Sequence, residues 1–238
     1  MGLFGLVFRV SRFHILAMSE TNPYLDIETQ VLAAALPNVA FDGWSEKLLQ
    51  QAIASSGVDE NMAVLAFPKG VGGLIRRFSA DGDARMLAAL PDGESLKIRE
   101  RITEAVWTRL RVDGEHKEAA RRAAGWLALP PRQKLGAKLL FESANQIWRW
   151  AGDSATDYNY YSKRVILSGV IVSTRLTWFD DDSEDEAKTR AFLERRIENV
   201  MQFEKLKAKA TAWSGKLHGD KAPFEGVWSS LAKMRYRK

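Results

Sequence analysis

Between Asp157 and Arg164 the chain reads DYNYYSKR, which sets three tyrosines beside two cations. Tyrosine and arginine dominate the energetic centres of protein contacts, so this segment is suited to gripping a partner. A structural use is open too, with Asp157 capping a helix and the tyrosines anchoring a bundle. The segment runs directly into an apolar helix whose only charges are Lys163, Arg164 and Arg175. Catalytic chemistry finds less support. There is no cysteine, which excludes disulfides, thiolate catalysis and cysteine-ligated metals. His14, His116 and His218 are far apart, and none belongs to an HExxH motif or an i, i+4 pair. The carboxylates of Asp180–Glu186 are contiguous rather than spread over facing helices, and no Glu-x-x-His motif occurs, so they read as a solvated acidic loop. With no base–nucleophile pair and no phosphate loop, the sequence argues for a binding protein rather than an enzyme and calls for no metal or cofactor.

Composition sets the scale. The 238 residues are 46% hydrophobic, enough for one large domain or a small module fused to a larger one. A net charge of +5 modestly favours acidic partners, anionic lipid or nucleic acid. The eight tryptophans supply core residues and suit wet–dry boundaries. No uncharged apolar run reaches the roughly 18 residues of a membrane span. The first 17 residues, MGLFGLVFRVSRFHILA, are apolar and basic. They read as an upstream extension before an ordinary start at Met18, with a targeting or surface-seeking segment as the alternative.

The elements that must position these residues are helical throughout, because clean period-two alternation is scarce. The pattern predicts helices over Asp26–Leu36, stopped by Pro37, then Trp44–Ser56 and Glu60–Ala66. A fourth begins near Pro68 and reaches Phe78, with a turn around Ala80–Asp83 closing the bundle. Short helices with tight turns at this spacing form a helix-turn-helix skeleton. FPKGVGGLIRRF takes the place of the recognition helix. Its Lys69, Arg76 and Arg77 can touch phosphates, but Gly70, Gly72 and Gly73 offer no side chain to a base. The module therefore reads as degenerate, without sequence-specific nucleic-acid binding. Longer helices follow over Ser95–Arg111, Glu115–Leu129, Arg132–Trp150, a segment from Thr156 or Asp157 to Phe179, Ala187–Trp213 and Phe224–Tyr236. The apolar seam of Ala187–Trp213 is Phe192, Ile197, Val200, Phe203 and Leu206.

Two apolar surfaces are candidates for lipid. Leu135, Leu139, Leu140, Ile147 and Trp148, with Ile166 and Val170 around Ser168-Gly169 in the next helix, are suited to walling a pocket with few polar anchors. The same pattern describes an ordinary helical core. In the final helix, Phe224, Val227, Trp228 and Leu231 form one stripe ahead of Lys233, Arg235, Arg237 and Lys238. That combination suits anionic headgroups, or packing on its own domain with the basic tail in water.

The stretch AGDSATDYNYYSKRVILSGVIVSTRLTWF, followed by FLERRIENV, resembles the ubiquinone-biosynthesis accessory family, helical lipid-binding proteins that assist the demethoxyubiquinone hydroxylase. The LALPPRQ junction and GWSEKLLQQAIASSGV are similar to that family as well, and the likeness extends over most of residues 20–213. The resemblance implies an all-α, TetR-like fold. It divides the chain into an N-terminal extension (1–19), a degenerate helix-turn-helix bundle (20–83), a lipid-binding and dimerisation domain (84–213), and a loop with an amphipathic C-terminal helix (214–238). It implies a homodimer through the last two long helices and an isoprenoid quinone intermediate or phospholipid as ligand. Tyr160 and Tyr161, flanked by Lys163 and Arg164, would face the hydroxylase. The first of that aromatic pair is commonly tryptophan in the family. Peripheral membrane contact would lie on the inner face of a bacterial membrane, or on the matrix side of the mitochondrial inner membrane. The alternative reading is a TetR-type, ligand-responsive transcriptional regulator.

Overall fold

The structure is a computed structural model and describes residues 23–93, 95–154, 156, 158–200 and 202. Every regular element among them is helical. Helix α1 (Leu25–Asp42) packs along α2 (Glu46–Ser56), and α3 (Glu60–Ala66) completes a small bundle with them. Local chemistry sets these boundaries. Ser45 Oγ accepts the Leu48 amide and Asp59 Oδ1 the Met62 amide, each satisfying a free N–H of a first turn. Gly57 closes α2 with φ +75°, a conformation that costs glycine nothing. The predicted boundaries of α3 hold.

Two other expectations give way to tertiary packing. Pro37 does not stop α1, which continues to Asp42. An interior proline costs roughly 3 kcal/mol, and here the following turn buries Val39 completely and leads to buried Trp44. Nor does the chain turn at Ala80–Asp83. Helix α4 (Val71–Ala89) runs unbroken through that segment, carrying the chain from the small bundle into the larger body. Asp83, a poor helix former, is held there by buried bonds to Arg109 and Ser143. The expected place of the recognition helix is also corrected. Tight turns join α2 to α3 and α3 to α4, and the start of α4, including Gly72 and Gly73, is buried, although Lys69 and Arg76 beside it are exposed. It is α3 that faces outward, presenting Glu60, Asn61, Met62, Val64 and Leu65 and no cation.

The larger body comprises α5 (Ile98–Arg111), α6 (Lys117–Ala128), α7 (Gln133–Trp150), α8 (Tyr158–Phe179) and a helix α9 over residues 187–200. Helices α7 and α8 form the central pair, and α4 packs across α7. One core gathers α1, α2 and the start of α4 around Trp44, Leu48, Leu74 and Trp178. Trp44 Nε1 donates to the carbonyl of Ala119 at 2.9 Å, tying the small bundle to α6. A second core joins α5, α7, α8 and α9 through Val106, Ile147, Ile171 and Leu193. In α9 the buried apolar positions are Leu193 and Ile197. Phe203 and Leu206 lie outside the described residues.

Asp180–Glu186 is not uniformly solvated. Asp181 is buried and accepts both the amide and the hydroxyl of Ser183 and of Thr189, anchoring the entry to α9. Burial raises its carboxyl, but these four bonds outweigh it and hold Asp181 well below the usual carboxylate range.

Candidate functional site: an apolar cavity and the outer face of one helix

A cavity of about 420 Å³ lies between α4, α6, α7 and α8. It exists because facing positions carry small residues. Ala120, Ala123, Ala124 and Ala128 line it from α6, and Gly136 and Ala137 from α7. Gly136 also lets these helices approach closely, since a Cβ there would sit 3.2 Å from that of Leu127. Ile75, Phe78, Leu127, Leu139, Leu140 and Phe179 supply larger apolar surface. The volume and the apolar lining with a few polar groups are those of a small-ligand site. Val172 and Leu176 also line the cavity yet are 37% and 58% exposed, so it opens along the outer face of α8.

The polar end of the cavity is built from buried charge. Arg109 is only 2% exposed. Its Nε donates to Asp83 Oδ1 at 2.8 Å and its Nη1 to Asp113 Oδ2. Ser143 Oγ donates to the Asp83 carboxylate. Burial alone would lower the guanidinium, but Asp113 and Asp83 outweigh it and raise Arg109 above its ordinary value. A Cβ on Gly82 would come within 2.6 Å of the carbon at the centre of this guanidinium. Glycine therefore lets Arg109 lie against α4. Arg175, from α8, reaches the same end and lies 3.6 Å from Asp113.

A second cluster stands at the opposite end of α8. Buried Arg164 donates to Asp153 Oδ2 (3.0 Å), to Asn145 Oδ1 (2.8 Å) and to the carbonyl of Tyr160 (2.9 Å). Its guanidinium lies 3.6 Å from the Tyr160 ring centroid, as a cation–π pair. Lys163 bonds Asp153 Oδ1 at 2.6 Å and sits over Trp148. Burial pushes Asp153 up, but the bonds from Lys163 and Arg164 prevail and hold its carboxyl below its ordinary value. Tyr160 and Tyr161 meet edge to face at 5.0 Å, and both approach Phe141. Tyr160 is half-buried, whereas Tyr161 is 62% exposed.

Of the sequence-derived pocket residues, Leu139 and Leu140 line the cavity. Ile147 and Val170 are buried in the second core, where Trp148 packs at the edge. Leu135 packs against the first core, and Ile166 is half-buried on α8. Trp148 donates its indole N–H to the carbonyl of Lys163 instead of facing the cavity. Tyr160, Tyr161, Lys163 and Arg164 are brought together, but Arg164 is the buried support of the group. Phe224, Val227, Trp228 and Leu231 lie outside the described residues. Sequence reading missed the alanine wall of α6 and the Asp83–Arg109–Asp113 cluster. Available signals were the AARRAA run, an Arg–Asp pair one helical turn apart, and a lone arginine at position 175 in an apolar helix.

Comparison with known proteins finds relatives of this chain. A family model described as COQ9 matches residues 133–204, the segment holding α7 and α8. "Ubiquinone biosynthesis protein COQ9, mitochondrial" of Rattus norvegicus is 31% identical over 186 residues, covering 74% of this chain and 59% of that protein. This chain is similar to the COQ9 family over these segments. The Homo sapiens protein of the same name is 30% identical over 74% of this chain and 58% of its own length. The chain thus spans less than two thirds of these relatives. The Schizosaccharomyces pombe relative is 22% identical, with 82% of this chain and 78% of that protein aligned. Among solved structures, a TetR transcriptional regulator from Nitrosomonas europaea superposes with a TM-score of 0.58. The match covers 74% of this chain and 99% of that one at 18% identity, and it establishes the all-α, TetR-like fold alone.

Proposed function

We propose that this protein is a COQ9-family member and a non-enzymatic accessory factor in ubiquinone biosynthesis. It would hold an isoprenoid quinone intermediate or a phospholipid chain in its cavity and present it to a demethoxyubiquinone hydroxylase. The observation that carries this reading is the shared face of α8. Exposed Tyr161, Val165, Val172 and Leu176 fall along one side of the helix, joining the aromatic cluster to the cavity mouth. At 1.5 Å per residue the two ends are about 22 Å apart, so one partner surface can cover both. A contiguous exposed apolar strip of this kind marks an interaction site.

The energetics favour hand-over at a surface. Each CH₂ taken from water into the cavity gains about 0.8 kcal/mol, but a chain leaving a bilayer gains no such amount. Lipid must then be collected and delivered by contact, a task for the amphipathic segment carrying Phe224, Val227, Trp228 and Leu231. No helix among the described residues is long and apolar enough to cross a membrane. The association proposed is peripheral. Its site is the matrix side of the mitochondrial inner membrane, in line with the names of the relatives, or the inner face of a bacterial membrane. Homodimerisation through the last two long helices belongs to the same proposal. A regulator's role is disfavoured because outward-facing α3 offers Glu60 and no cation to DNA phosphates.

Native extraction followed by lipid mass spectrometry tests the proposal. A co-purifying quinone precursor or phospholipid supports it. Preparations without lipid, together with a palindromic duplex enriched from a random library at about 150 mM salt, would favour the regulator.

A further inference from the structure

The cavity is not apolar at every wall, and the charges at its inner end are unevenly shared. Asp113 is almost wholly buried and serves three guanidiniums. It accepts from Arg109, lies 3.5 Å from Arg85 and lies 3.6 Å from Arg175. Arg85 has a second carboxylate in Asp81, and Arg109 has one in Asp83. Arg175 has only the most distant share of Asp113 among the described ion pairs. Its Nε is buried and has no hydrogen-bond partner. An unmet buried donor is costly, and a donor on a cation more so. Burial and the neighbouring Arg109 accordingly hold Arg175 below its ordinary value. Of the other polar lining groups, Ser143 is bonded to Asp83, Asp113 to Arg109, and Gln133 to the carbonyl of Ala128.

We propose that Arg175 is the headgroup site of the cavity, selecting single-chain amphiphiles that end in an anionic oxygen head such as a carboxylate, with the chain lying along Leu139, Leu140 and Phe179. This rests on the reading of the cavity as a lipid site and adds what that reading leaves open, the charge of the head. A carboxylate there supplies an acceptor to Arg175 Nε and balances the guanidinium that shares Asp113 least. A hydroxyl head supplies an acceptor without the charge. Charge-assisted bonds exceed neutral ones, so the acid should bind roughly tenfold to hundredfold more tightly than the alcohol of equal chain length.

The test uses the full chain and three probes at mildly alkaline pH: hexadecanoate, hexadecan-1-ol and acetate, the lipids below their aggregation concentrations. Displacement of a fluorescent fatty-chain reporter gives the affinities. The expected result is a strong preference for hexadecanoate over the alcohol and no displacement by acetate. Arg175→Met, which keeps the length and removes the charge, should bring the acid-to-alcohol ratio close to one. Equal binding of acid and alcohol to the unaltered protein overturns the headgroup proposal while leaving the lipid cavity standing. Binding of neither overturns the cavity reading and this proposal with it. Displacement by acetate at the same concentration identifies a free-anion site and overturns the amphiphile. Should Arg175→Met fail to fold, the ratio measured on the unaltered protein still decides.

Discussion

Arg164 and Arg175 lie on the same helix about three turns apart, and their surroundings differ in kind. Arg164 has an aspartate, an asparagine, a backbone carbonyl and an aromatic face. Arg175 has a distant share of one carboxylate and an unmet Nε. The first arrangement is complete within the protein. It fixes Tyr160 and holds the aromatic cluster in shape, so Tyr161 can be exposed without being loose. The second is incomplete within the protein and faces a cavity. A satisfied buried charge organises a surface, whereas an unsatisfied one beside free space is a group suited to binding.

The largest expected effect comes from breaking the complete site. Arg164→Met leaves the buried Asp153 side chain with Lys163 as its remaining cation and removes the bonds to Asn145 and Tyr160, and should cost about 3–5 kcal/mol of unfolding free energy in urea denaturation. A loss below about 1 kcal/mol would mean that Lys163 alone satisfies Asp153. Next comes the surface that Arg164 supports. Tyr160→Ala with Tyr161→Ala should weaken hydroxylase affinity by at least about 2 kcal/mol, measured by calorimetry, while co-purified lipid changes little. If lipid falls and partner affinity holds, the aromatic cluster belongs to the cavity wall instead.

The cavity gives a smaller, opposite kind of effect. Ala124→Phe inserts a ring into existing space, so it should lower lipid occupancy about tenfold with stability changed by less than about 1.5 kcal/mol. Unaltered occupancy would place the lipid elsewhere. Acid should also separate the two arginine sites. The folded Asp153 carboxyl is held below its ordinary value. Its contribution is therefore complete above the usual carboxylate range and is lost as pH falls through the depressed value. Tyrosine fluorescence of the cluster should change in that acidic window, and Asp153→Asn should remove the change. The smallest effect is expected for Arg175→Met. Removing an incompletely paired, half-buried cation should shift unfolding by about 1 kcal/mol or less in either direction. A loss as large as that of Arg164→Met would make Arg175 structural and erase the contrast.

What the sequence determined by itself was local. Asp59 before Glu60–Ala66, Gly57 at the end of α2, and the long 3.6-residue periodicities of α5, α7 and α8 act within a turn or two, so their residues specify helices wherever the chain goes. The aromatic–cation cluster was legible for the same reason, since its members are neighbours in the chain. The tertiary structure decided the rest. Pro37 and Asp83 stay helical because Val39 is buried and Arg109 arrives from α5. The cavity was hidden because it depends on which residues face one another. Leu135, Ile147 and Trp148 share an apolar pattern with Leu139 and Leu140, but only the latter pair faces the alanines of α6 across open space. A helical period gives the side on which a residue lies; the volume left between two sides is a property of the packed pair.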